Sequence, residues 1–133
     1  MILSFSLTSK LARERGVPDP LYTGLKTVSR RFWSSKHAAT WIKAYKEGRI
    51  IHDAWSNAPF VGGAQKIGTF KLTCEPYLEY LQDMPESDVL LEGGFWETAQ
   101  DYINQFSNGD DNQIVWVIRW EDFRPIETKC EVF

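Results

Sequence analysis

The chain has 133 residues, 43% hydrophobic and 25% charged, the profile of one globular domain; this excludes a disordered or fibrous polypeptide. Its net charge of −3 conceals a division: Met1 to Lys71 holds 12 basic and 4 acidic residues, whereas Leu72 to Phe133 holds 3 basic and 14 acidic ones. A sequence pI of 5.4 excludes a general nucleic-acid coat but leaves room for a local basic groove.

In chain order, MILSFSL alternates Leu3, Phe5 and Leu7 with serines and reads as a half-buried strand. It lacks the basic n-region and apolar run of a signal peptide, and no apolar run approaches the ~20 residues of a membrane span, so a cytoplasmic protein without a membrane partner is expected. Ser9 to Arg15 suits a short helix stopped by Gly16, and Val17-Pro18-Asp19-Pro20 forces an extended turn. A second short helix runs from Leu21 to Gly24. Lys26 to Trp33 alternates as a strand, with Lys26, Val28 and Arg30 on one face and Thr27, Ser29, Arg31 and Trp33 on the other.

Ala38, Trp41, Ile42 and Tyr45 fall at helical spacing before Gly48, with Lys36, Lys43 and Lys46 on the opposite side. Ile50 to Trp55 and Lys66 to Cys74 read as strands. Pro76 sits where a helix would begin, with Tyr77, Leu78 and Leu81 as its apolar side. Ser87 caps a short turn that ends at Gly93-Gly94, and Phe95 to Phe106 carries the clearest helical stripe. Ile114 to Trp120 is apolar on both faces, as a central strand would be, and Phe123, Ile126 and Val132 suggest one more. Strands separated by unequal helices, without βαβ alternation, predict an α+β domain with a curved sheet.

Cys74 and Cys130 are expected as buried free thiols, a disulfide being the alternative for an exported protein. No nucleotide-loop, dinucleotide-loop or metal-ligand spacing is present, so no metal and no cofactor is expected. His37 and His52 lack a plausible acid partner in sequence, which leaves lysine, hydroxyl and carboxylate as the reactive set. Gly24 to Trp33, GLKTVSRRFW, gathers such groups: one lysine, two hydroxyls and two adjacent arginines without a carboxylate. Burial and neighbouring positive charge lower a lysine pKa, so Lys26 can serve as a base that activates the Ser29 hydroxyl. On a straight strand the two side chains point apart; a bulge or bend must bring them together. Either the basic and acidic halves neutralise each other by packing, or Arg30, Arg31 and their neighbours form a phosphate footprint.

The pattern Gly24-Leu25-Lys26-Thr27-Val28-Ser29-Arg30-Arg31 resembles the signature of the ASCH family, G-x-K-T-x-[ST]-x-R, which lines a pocket in a PUA-like β-barrel. The likeness continues in order of elements: a first strand ending in Phe5, a middle strand before an acidic segment (Lys66 to Glu92), and a closing apolar strand (Ile114 to Trp120). The resemblance implies one ASCH domain over 1–133, with a helical insert after the motif strand at about 34–63 that shapes or covers the pocket. One branch of the family hydrolyses acetylcytidine nucleosides. By position, this implies a catalytic set of Lys26, Ser29 and Glu92, with Ser29 keeping the hydroxyl of the family's threonine.

Thr27, Arg30, Arg31, Trp33 and Trp55 are the expected substrate-binding residues, Arg31 for a carbonyl or phosphate oxygen and the tryptophans for stacking on a base. Trp33, Trp55 and Trp96 equally suit core or rim positions. Three functions follow: an amidohydrolase of acylated nucleosides, a noncatalytic module for RNA or a modified nucleoside, and a protein-interaction domain. Other family members are RNA-binding or ribonucleolytic.

Overall fold

The computed structural model describes residues 1–126, which form a mixed sheet curled into a half-barrel and flanked by helices. The strands are β1 (Ile2–Ser4), β2 (Val28–Arg31), β3 (Ile51–Trp55), β4 (Lys66–Leu72), β5 (Tyr77–Tyr80) and β6 (Ile114–Pro125). The helices are α1 (Ser6–Arg15), α2 (Pro20–Thr23), α3 (Ser35–Lys46), α4 (Asp88–Leu91) and α5 (Ala99–Phe106). Strand order is β1-β3-β4-β6-β2, with β5 also on β6. β1 and β3 are parallel and the other pairs antiparallel.

β6 organises the sheet. Its first half pairs with both β2 and β5, and from Trp120 onward it pairs with β4. Where the register against β4 shifts between Thr69 and Lys71, Asp122 takes φ 55°, an extra residue that bends the strand. Val115, Val117 and Ile118 are completely buried, as expected of a strand covered on both faces. Phe123 belongs to this same strand rather than to a further one; Val132 and Cys130 lie outside the described residues. Cys74 is half-buried.

Three expected elements differ, each for a reason of partnership. The first strand stops at Ser4 because its ladder with β3 ends at Trp55, and from Ser6 the chain satisfies its backbone as α1, leaving Leu7 exposed in the helix. The helix expected after Pro76 is instead β5: the open side of β6 offers Ile114 to Val117 as ladder partners, and Tyr-Leu-Glu-Tyr suits an extended chain. Pro76, fully buried, precedes the strand where its missing N–H costs no ladder bond. The last helix begins at Ala99 rather than Phe95, since Thr98 and Asp101 form a reciprocal capping box.

Segment 34–63 is structural. It supplies α3, whose Trp41 is completely buried, and β3, which joins β1 to β4. One core cluster gathers Leu3, Phe5, Leu21, Trp41, Phe70 and Trp120; a second gathers Val28, Leu81, Val89, Tyr102, Ile103 and Val117. Among the described residues no helix is long and apolar enough to cross a membrane.

His52 is 3% exposed, its ring 4.5 Å from that of Trp41. Neither ring nitrogen makes a well-formed hydrogen bond, and burial lowers the imidazole to about 4 from an ordinary 6.5. Between those values the unfolded chain binds the extra proton, so stability falls as pH drops from 6.5 towards 4. His52→Leu is expected to remove this component, so that the stability gap between wild type and variant, measured by urea unfolding, shifts in favour of the variant across that window.

Candidate functional site

The curled sheet does not close. Its end strands β1 and β2 face each other across a seam, and a cavity of about 220 Å³ lies there. Ser4 and Phe5 line it from one side, Lys26, Ser29, Arg30, Arg31 and Phe32 from the other, and Glu92, Trp96 and Tyr102 from the acidic half of the chain. Arg31 stitches the seam: one terminal nitrogen donates to the Ser4 carbonyl, and the guanidinium lies 5.7 Å from the centre of the Phe5 ring.

The expected catalytic set is brought together. Lys26 precedes the strand rather than lying in it; its N–H donates to the Pro20 carbonyl at 2.9 Å, and Thr27 N–H to the Leu91 carbonyl at 3.0 Å. The ladder begins only at Val28, so the bend needed to place Lys26 and Ser29 on one cavity comes from this irregular lead-in. Glu92 ends α4, and Gly93 and Gly94, at φ 136° and 77°, turn the chain sharply behind it. A Cβ on Gly93 would stand 3.1 Å from the Phe95 ring and 3.3 Å from Thr8, so glycine is required for conformation and for space.

Glu92, only 2% exposed, stays paired. Lys26 Nζ donates to Glu92 Oε1 at 3.3 Å, to the Glu92 backbone carbonyl at 2.9 Å and to the Val28 carbonyl at 2.9 Å. Three acceptors match the three protons of an ammonium. Burial nonetheless lowers the Lys26 pKa below its ordinary value, aided by the charges of Arg31 and Arg30 and opposed by Glu92. Burial raises the Tyr102 hydroxyl, and the Glu92 carboxylate adds to that shift.

The two arginines have opposite roles. Arg30, its side chain 1% exposed, donates to Glu92 at 2.9 Å, to Glu79 at 2.8 and 3.3 Å, and to Asp88 at 2.5 Å. Burial alone would lower its pKa, but these hydrogen bonds raise it instead. Arg119 grips Asp88 with two bonds of 3.1 and 2.6 Å and Tyr77 with a third; burial would raise Asp88, but Arg119 and Arg30 hold it below the usual carboxylate range. Arg30 also lines the cavity, with its donors given to these carboxylates.

Arg31 makes no salt bridge among the described residues; its Nε donates to Ser29 Oγ at 2.7 Å. Burial lowers its pKa, opposed by Glu92 and Tyr102. With Lys26 protonated, Lys26, Arg30, Arg31 and Arg119 exceed Glu79, Asp88 and Glu92 by one charge; with Lys26 neutral the two sets balance.

The other expected residues lie elsewhere. Thr27 is half-buried beside Trp120, to which it offers its carbonyl; Trp33 stacks on Trp41 with ring centres 5.0 Å apart; Trp55 ends β3 opposite Ser4. None of the three lines the cavity, and neither does any residue of 34–63. Phe5, Phe32, Trp96, Tyr102 and Phe106 supply its rings instead. Helical spacing marked Tyr102 and Phe106 as core, and nothing local distinguishes a core ring from one that also faces a cavity. Among the described residues no group of three or more His, Cys, Asp or Glu side chains could hold a metal ion.

Removing one member of so buried a network strands its partners, a loss of about 3–5 kcal/mol in comparable cases. Arg30→Ala should lower unfolding stability by that amount, and Arg30→Lys should recover little of it, because an ammonium cannot reproduce the planar fork that serves three carboxylates. Urea denaturation of the two variants measures both effects. Comparison of the chain with protein-family models, with curated proteins and with solved structures finds no match.

Proposed function

We propose that this chain is an ASCH-type pocket protein that binds a modified nucleoside and hydrolyses an acyl amide on a cytidine-like base. The observation that carries this reading is the shared cavity: an amine, a hydroxyl and a carboxylate, from residues 26, 29 and 92, line one hollow edged by aromatic rings. At about 220 Å³ it is smaller than the roughly 300–1,000 Å³ of drug-sized sites, which favours a single ring over a polymer segment. Phe32, Trp96 and Phe106 offer faces on which a base can stack.

In this mechanism Lys26 acts in its neutral form, which burial favours. It takes the proton of Ser29 as Oγ bonds to the acyl carbon. Arg31, 2.7 Å from that oxygen, is placed to stabilise negative charge developing on the carbonyl oxygen. The C–N bond then breaks, and the departing exocyclic amine recovers the proton from Lys26, which Glu92 holds in position. Water hydrolyses the acyl-serine, releasing the carboxylic acid and restoring Ser29.

One observation favours a second reading, a noncatalytic binding module: all three Lys26 protons and both Glu92 oxygens are already engaged, as in a structural lock. Release of acetate from acetylcytidine separates the two. The enzyme reading expects activity that rises with pH through the lowered pKa of Lys26, because the neutral amine is the reactive form; the rise should fall below the ordinary 10.5. Lys26→Ala and Ser29→Ala should each lose about 10²-fold or more in kcat/KM, while Ser29→Thr should retain activity. Binding of the nucleoside without turnover, unchanged in Ser29→Ala, leaves the binding module standing.

A further inference from the structure

Among the polar groups that the acidic half of the chain brings to the cavity, one is uncommitted. Glu92 accepts from Lys26 and Arg30, and the Trp96 indole N–H donates to Gln105 at 2.7 Å. Tyr102 also lines the hollow, and among the described residues its hydroxyl makes no well-formed hydrogen bond. Unlike the Thr8 hydroxyl and the Trp120 indole nitrogen, it is not sealed from solvent; on a residue only 5% exposed, the surface it keeps belongs to the cavity. Buried hydroxyls are normally paired, so one left open towards a hollow is available to a ligand.

The hydroxyl is held in place by the packing of its ring. Tyr102 sits on α5, whose start is fixed by the capping box, and its ring meets Trp96 edge-on with centres 4.7 Å apart and Phe106 at 4.5 Å. The Glu92 carboxylate stands near enough to help keep the phenol protonated. A phenol beside a carboxylate turns its proton towards that charge, which leaves its oxygen lone pairs to the cavity. The group therefore reads a donor.

We propose that Tyr102 is the specificity residue for the acyl linkage: its hydroxyl oxygen accepts the N–H of the amide. This rests on the amide substrate proposed above and adds the means by which it is chosen. An ester of the same acyl group has no such proton, and a tertiary amide carries carbon in its place, so either would leave the oxygen unpaired in a buried site. Sites of that kind discriminate strongly against the analogue that lacks the bond. Ser29 and Arg31 cannot make this distinction, because the acyl carbon and carbonyl oxygen that they meet are common to amides and esters.

Titration calorimetry with acetylcytidine and with its analogue methylated on the amide nitrogen tests this in the Ser29→Ala chain, where turnover cannot interfere, with and without Tyr102→Phe. The phenylalanine keeps the ring that packs on Trp96 and Phe106 and removes only the hydroxyl. The Ser29→Ala chain should prefer the N–H compound about tenfold or more, and Tyr102→Phe should weaken that compound about fivefold while leaving the methylated one within about twofold. A purely structural hydroxyl would weaken both compounds equally; that result, or a preference unchanged in Tyr102→Phe, overturns the assignment. Acetate release by the wild-type chain is scored separately. Turnover with no Tyr102-dependent preference sinks this inference alone, preference without turnover removes the catalysis and keeps the inference, and binding of neither compound removes both.

Discussion

The architecture turns on one buried carboxylate. Glu92 is almost wholly removed from water, and an unpaired carboxylate there would cost several kcal/mol after relaxation. Lys26 and Arg30 must therefore come to it, and both arrive on the same short segment, one just before β2 and one within it. Bringing them fixes the loop 88–94 against the sheet, which in turn sets the wall of the cavity. Asp88 and Glu79 repeat the bargain one layer further out, tying α4 and β5 to the same guanidinium. Such a cluster adds little net stability over a hydrophobic replacement, but it admits few arrangements, and so it specifies where α4 sits.

Apolar packing provides the frame that makes this pairing affordable. The two core clusters meet at β6, which contributes Ile118 and Trp120 to one and Val115 and Val117 to the other. Because β6 bends at Asp122, the sheet curls far enough for β1 and β2 to approach without pairing. The seam left between them is polar because backbone groups along two unpaired edges need partners. Arg31 supplies one such partner to Ser4, and α1 starts there because the strand has lost its neighbour.

Much of this was legible in the sequence, and the failures share a cause. The helices of 35–46 and 88–91 and the strands β3, β4 and β6 declared themselves through spacing and glycine stops, although Ser87 makes no side-chain cap, and the motif pattern led to residues 26, 29 and 92, which line one cavity. What misled was continuity: alternation from Leu3 to Leu7 runs straight across the point where β1 loses its partner, and Pro76 looks like a helix start only while the open side of β6 is out of view. Both are decisions made by a distant strand, which a local pattern cannot contain. The segregated charge was more informative than it looked. Lys26 and Arg30 come from the basic half and Glu79, Asp88 and Glu92 from the acidic half, so the buried network is in part the packing of one half on the other. Asp88 as a ligand of Arg30 had no sequence signal at all, since 58 residues separate them.

Arg30 and Arg31 are chemically identical neighbours, and their divergence bears most directly on function. Both line the cavity, but alternation along β2 gives them different partners: three carboxylates in one case, a serine and a backbone carbonyl in the other. A guanidinium that spends its donors on carboxylates is a building element, whatever its distance from a cavity. One without a carboxylate partner keeps its charge beside a hydroxyl, a carbonyl and an aromatic ring, where burial makes each donor act more strongly than at the surface. The basic motif thus divides its labour by parity: one arginine ties together the acids that shape the cavity wall, and the next joins the two edges of the seam.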